Sequence, residues 1–138
     1  MASSFRDLRV WQSAMKLATE IYRATGNFPR HELYGLSQQM RRAAVSIPSY
    51  IAEGKGQHTN RLFAQFLFHA RGSLLELETQ IEIAQALNYL KSEDAQLLRG
   101  QSTAVGRSLT GLINSINNPA GNAEALAEDR RPTTNDHV

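Results

Sequence analysis

Five cationic side chains in the first half of the chain are the residues whose type and spacing come nearest to a chemical function. They are Arg41, Arg42, Lys55, Arg61 and Arg71. Clustered positive charge is sufficient to bind nucleic-acid phosphates. Phe63, Phe66 and Phe68 are interleaved with these charges and suit base stacking, although Phe63 and Phe66 also fit a helical apolar pattern, which favours core packing. We therefore treat the five cations as candidate contacts for RNA, DNA or another partner.

The residue types that usually carry catalysis form no recognisable site. The chain has no cysteine, which excludes disulfides, thiolate metal sites and cysteine nucleophiles. Its four histidines lack metal-ligand spacing, and Gly54-Lys55-Gly56 lacks the spacing of a phosphate-binding loop. Glu76, Glu78 and Glu82 have no second glutamate-rich helix to complete a dinuclear site, so a solvated acidic face is favoured. We expect no catalytic residue, no cofactor and no metal; an enzyme with an unrecognised site at a subunit interface is the alternative.

Four helical segments must position these side chains. The first carries apolar residues at alternating steps of four and three, and it stops near Gly26. The second runs from about His31 to Gly54 or Gly56 and places Leu33 on its apolar side. The fourth opens at Ser92, which is a good N-cap, and ends before Pro119.

The third segment, from about Thr59 to Leu90, is apolar on two sides. Its main stripe follows a strict three-four alternation through Leu67, Ala70, Leu74, Leu77, Ile81 and Ala84. A second stripe runs beside it through Phe68, Leu75, Ile83, Leu87 and Leu90. Such a helix buries more than one face, either inside a bundle or against another subunit.

These segments predict an all-α protein with one domain. Four helices with short connections pack most simply as an up-down-up-down four-helix bundle, here over residues 1–118. Residues 119–138 have almost no large apolar side chain and are expected to be a disordered tail. Pro48 falls inside the second helix, where proline removes a hydrogen bond and crowds the preceding turn. We therefore predict a kink at Pro48.

Charge is distributed unevenly along the chain. Residues 1–71 hold ten Lys and Arg against four Asp and Glu, a net charge of +6, whereas residues 72–95 hold one against five, a net charge of −4. The pattern fits ordinary solvated helix faces. It also fits a basic face of one subunit meeting an acidic face of the next, a contact that repeats into a ring when its rotation closes.

The chain resembles, through several short motifs, a bacterial four-helix-bundle family. This family is related to proteins encoded in intervening sequences of large-subunit ribosomal RNA genes. That family also resembles the accessory variability determinant of diversity-generating retroelements. The motifs span residues 5–116 in the family's order and include Asp7-Leu8-Arg9-Val10-Trp11-Gln12, Glu32-Leu33-Tyr34-Gly35-Leu36, Ser46-Ile47-Pro48, Ile51-Ala52-Glu53-Gly54 and Glu76-Leu77-Glu78-Thr79-Gln80. Tyr50 and Gln57 depart from the family pattern, which commonly has Asn and a basic residue there.

The resemblance implies a four-helix bundle that assembles as a ring-shaped homopentamer. In the retroelement branch it implies a ring that binds a reverse transcriptase and nucleic acid through a basic surface. With no apolar run long enough to span a membrane, we expect a cytoplasmic protein. The two apolar stripes of the third segment, the uneven charge and the missing catalytic site predict a non-enzymatic homo-oligomeric scaffold for protein or RNA partners. An accessory subunit of a retroelement reverse transcriptase is the alternative, and the motifs identify the bundle without identifying its partner.

Overall fold

The computed structural model describes residues 4–118, and they form an all-α protein with no strand in that range. The four helices are α1 (Arg9–Thr25), α2 (Leu36–Lys55), α3 (Asn60–Ala86) and α4 (Ser92–Asn117). Short 3-10 turns, Phe5–Asp7 and Arg30–Glu32, precede α1 and α2. The predicted all-α class is confirmed; the predicted tail, 119–138, lies outside the described residues.

The helices enclose one apolar core. Each helix packs against the next along the chain, and α1 also packs against α4. Every helix contributes side chains that are fully shielded from solvent, for example Leu17, Ile47, Leu77 and Leu109. The main stripe predicted for α3 is buried throughout. The four-helix bundle is therefore confirmed, whereas the up-down-up-down course and the bend at Pro48, a buried residue inside α2, stay predictions.

The start of α2 differs from its predicted start at His31. His31 belongs to the 3-10 turn, and Gly35 has a non-helical backbone with φ −113° and ψ −115°. Glu32 Oε1 accepts a hydrogen bond from the Leu36 N–H at 3.1 Å, which satisfies one of the free donors at the start of the helix. Since Leu33 falls before this start, it is 47% exposed and does not face the core as predicted.

The connection from α3 to α4 also corrects two boundaries. Asn88 takes a left-handed conformation with φ 63°, and the Tyr89 N–H donates to the Ala84 carbonyl at 2.8 Å. Both features end a helix, so α3 stops at Ala86 and not near Leu90. Ser92 is the first residue of α4 and not its N-cap, a position that Lys91 occupies.

Candidate interaction surfaces

Arg41, the first of the five candidate cations, is held within the bundle. Its Nε donates to Thr25 Oγ1 at 2.8 Å, and an Nη donates to the Tyr22 carbonyl at 3.5 Å. Its guanidinium lies 4.8 Å from the centre of the Tyr22 ring. A cation at the carboxyl end of α1 also opposes the partial negative charge of the free carbonyls there. Arg41 therefore joins α2 to α1.

The other four cations are spread along α2 and α3. Arg42 and Arg61 are exposed, and Lys55 is half-buried at the last residue of α2. Arg71 is half-buried, with its guanidinium 5.0 Å from the centre of the Phe68 ring. Arg42 and Lys55 lie thirteen residues apart on one helix, which is about 20 Å. The structure thus does not gather the five cations into one patch.

The three phenylalanines near these cations have different environments. Phe63 is 7% exposed, which confirms the core assignment, and Phe68 is 45% exposed. Phe66 forms a ring cluster with Tyr50 of α2 and His69, in which the Tyr50 and His69 ring centres lie 5.4 Å apart.

Gly54 allows α2 to approach α3 closely beside this ring cluster. A Cβ atom on Gly54 would lie 2.9 Å from Phe66 Cβ and 3.2 Å from the Phe63 carbonyl oxygen. Real Cβ atoms are essentially never that close to another side chain's Cβ, so a larger residue would push the helices apart.

A long concave surface, here called the α1–α2 groove, runs between the first two helices. It consists of two adjoining clefts of about 460 Å³ and about 750 Å³ that share Tyr22, Val45 and Ser49. The smaller cleft is mainly apolar, and its lining includes Trp11, Met15, Pro48 and Ala52. The larger cleft is more polar, and its lining includes Tyr34, Arg42, Tyr50 and Glu53.

A second apolar surface, here called the α3 ridge, lies on the outer side of α3. It consists of Phe68, Leu75, Ile83 and Leu87, which are 44–59% exposed. These are four of the five residues of the predicted second stripe; the fifth, Leu90, is buried in the core instead. Gly72 lies between Phe68 and Leu75, and a Cβ there would meet nothing within 4 Å. The second stripe therefore faces away from this subunit's own core.

The acidic residues of α3 do not form a common site. Glu82 accepts hydrogen bonds from Arg99 Nε at 2.5 Å and Arg99 Nη at 3.2 Å, and these bonds lower the pKa of Glu82. Partial burial raises the pKa of Glu78. Among residues 4–118 no three His, Cys, Asp or Glu side chains are grouped so that they could hold a metal ion.

No helix in the same range is long and apolar enough to span a membrane.

Comparison with known protein families decides the identification. The model of the family described as 23S rRNA-intervening sequence protein matches residues 6–111, which is most of the chain. The chain belongs to this family. A comparison with curated proteins found no significant match. The matched range contains both the α1–α2 groove and the α3 ridge, so both surfaces lie within the part that defines this intervening-sequence family member.

One polar contact of this family member was not predicted from its sequence. The Tyr89 hydroxyl donates to Glu32 Oε2 at 2.9 Å, and His31 Nε2 lies 3.9 Å from the same oxygen. The Leu36 N–H and then the Tyr89 hydroxyl lower the pKa of Glu32, because both donate to its carboxylate. Glu32 thus fastens the loop before α2 to the loop after α3. Only the glutamate four residues before the start of α2 hinted at this role in the sequence.

Proposed function

We propose that this protein is a non-enzymatic scaffold that assembles from copies of itself, and the α3 ridge is the observation that carries the proposal. Its four apolar side chains are all at least 44% exposed; Phe68, Leu75 and Ile83 lie on α3, and Leu87 is the C-cap residue of that helix. Phe68 and Leu87 are nineteen residues apart, which is about 28 Å of helix. Exposed apolar side chains that lie together on the surface of a domain mark an interaction site.

A second copy is the partner that best accounts for the ridge. The ridge residues follow one another at steps of seven, eight and four residues, which places them on one broad side of the helix. The family resemblance adds the expectation of a ring of five subunits. The protein would then act by presenting several identical surfaces at fixed positions.

Sedimentation velocity and light scattering at micromolar concentration test this proposal. We expect the wild-type chain to sediment as an oligomer and Leu75→Glu to shift it to the monomer, because a buried carboxylate in an apolar contact is costly. Leu97→Glu is the matched control, since Leu97 on α4 is 52% exposed and Leu75 is 59% exposed. A monomeric wild-type chain, or equal effects of the two substitutions, contradicts the proposal.

A nucleic-acid partner is the second candidate, and the exposure of Arg42 and Arg61 on the single subunit favours it. Residues 1–118 hold 13 Lys and Arg against nine Asp and Glu, a net charge of +4, so five subunits would carry +20. RNA affinity should then fall steeply with salt, and Arg42→Ala with Arg61→Ala should reduce the salt dependence. Affinity that stays flat between low and physiological salt, or no binding at low salt, contradicts this candidate.

A further inference from the structure

We propose that the α3 ridge of one copy docks into the α1–α2 groove of the next. In this contact the equivalent helices of the two copies run in the same direction, so that both copies point the same way. This inference rests on the proposed self-assembly and names the two surfaces that meet. It makes the contact heterologous: every copy offers one ridge and one groove, and each surface is used once.

The first support is shape and polarity. The ridge is a convex row of apolar side chains, and the smaller cleft of the groove is a concave surface lined by Trp11, Met15 and Pro48. Along α2 the groove extends from Gln38 to Glu53, which is about 22 Å. The ridge is about 28 Å long by the same rise per residue. The groove is therefore shorter than the ridge, and a copy docked with Glu53 beside Arg61 would cover Phe68 and Leu75 and leave Ile83 and Leu87 beyond the end of the groove.

The second support is charge. Exposed Arg42 lies near the amino end of α2, and exposed Glu53 lies near its carboxyl end, both in the groove lining. On α3 the order is also Arg before Glu, with Arg61 at the beginning of the helix and Glu76 beyond its middle. The groove thus has one basic and one acidic end, whereas α3 carries Arg61 before the ridge begins and Glu76 near the middle of the ridge.

The orientation follows from the levels of these charges in one subunit. Tyr50 lies against Phe66 and His69, so the end of α2 that carries Glu53 shares a level with the beginning of α3. If two copies point the same way, Glu53 of the groove therefore lies near Arg61 of the neighbouring α3, and Arg42 lies near Glu76. The reversed orientation places like charges together, which is unfavourable.

A mixing experiment separates this contact from a ridge-to-ridge contact. Val45→Glu blocks the groove and leaves the ridge intact, and Leu75→Glu does the reverse; both residues are substantially exposed, at 43% and 59%. We expect each variant alone to be monomeric and their equimolar mixture to form a dimer of twice the 15.4 kDa subunit mass. A Val45→Glu variant that still assembles like the wild type overturns the proposal.

Crosslinking gives a readout that does not depend on disrupting the contact. The chain has no cysteine, so single cysteines can be introduced without a background. A Val45→Cys chain mixed with a tagged Leu75→Cys chain should be crosslinked into a heterodimer by a short bismaleimide. The yield of this heterodimer should exceed the yield of the homodimer that either chain forms alone. Glu53→Cys should crosslink to tagged Arg61→Cys and not to tagged Glu82→Cys, which reports the orientation.

The outcomes distinguish the two proposals. A wild-type chain that is monomeric overturns both the scaffold and the docking. A wild-type chain that assembles, with no Val45-to-Leu75 crosslink, overturns the docking alone. A Glu53-to-Glu82 crosslink without the Glu53-to-Arg61 crosslink overturns the shared orientation.

Discussion

Arg41 Nε lies 2.8 Å from Thr25 Oγ1, and this pair connects α2 to the last residue of α1. Thr25 is buried, and its hydroxyl in turn donates to the Ile21 carbonyl at 2.7 Å. The next residue, Arg42, is exposed on the same helix. Two adjacent arginines with the same predicted role thus differ in what they contact.

The first prediction compares these two arginines. Arg41→Ala should lower the free energy of unfolding by about 1–2 kcal/mol, because it removes a hydrogen bond from a charged donor and a favourable charge at the end of α1. Arg42→Ala is the matched control and should change stability by less than about 0.5 kcal/mol. Urea unfolding followed by circular dichroism measures both. Equal losses would show that the Arg41–Thr25 contact does not stabilise the bundle.

The second prediction concerns pH. The folded protein lowers the pKa of Glu32 below its ordinary value of 4.5 through bonds from Leu36 and Tyr89. The carboxylate therefore adds stability that is fully present above this ordinary value and is lost as the pH falls through the folded pKa. Tyr89→Phe should reduce the loss of thermal stability below pH 4.5, and Glu32→Gln should reduce it further. Melting curves between pH 3 and 6 that have the same pH dependence in all three proteins would contradict this role of Glu32.

The third prediction concerns the close approach of α2 and α3. Gly54→Ala should destabilise the protein, because the new Cβ would lie 2.9 Å from Phe66 Cβ. Gly100→Ala in α4 is the control, since a Cβ there meets nothing within 4 Å. That control should stabilise the helix by about 0.5–1 kcal/mol, because alanine has the higher helix propensity. A melting temperature raised by both substitutions would rule out the predicted crowding at Gly54.

The fourth prediction concerns Pro48, which is buried in α2 and lines the smaller cleft of the groove. Pro48→Ala should alter the oligomer size or the melting temperature. It should have a smaller effect on any RNA binding by exposed cations such as Arg42. The proline ring forms part of the groove, and its removal also restores an N–H donor to the helix. Ser49→Ala, in the same groove lining, is the control. Unchanged sedimentation and an unchanged melting temperature for Pro48→Ala count against the prediction.

The core and the number of helices follow from local periodicity. Residues such as Leu67 and Leu74 on α3, or Leu109 on α4, recur at steps of three and four, and any helix places such residues on one side. The same periodicity predicted a second stripe on α3. It did not specify that Phe68 faces outward and that Leu90 faces inward, because Leu90 lies beyond the end of the helix.

Helix ends depended on contacts that local pattern does not contain. The beginning of α2 at Leu36 is fixed partly by Glu32, and Glu32 is held by Tyr89, which is 57 residues away in the sequence. A pattern of apolar residues carries no information about such a distant hydroxyl group.

The roles of individual cations were likewise decided by tertiary structure. The sequence by itself determined the helical fold and its family, since apolar spacing and the order of short motifs are properties of the chain alone. Sequence reasoning assigned Arg41 and Arg42 the same role, because the sequence shows only that both side chains are cationic. Only the packed bundle placed Thr25 within hydrogen-bond distance of Arg41 and opened the α1–α2 groove beside Arg42. The physical reason is that a hydrogen bond or a groove requires atoms from different helices to lie within a few ångströms, and chain spacing alone does not fix that distance.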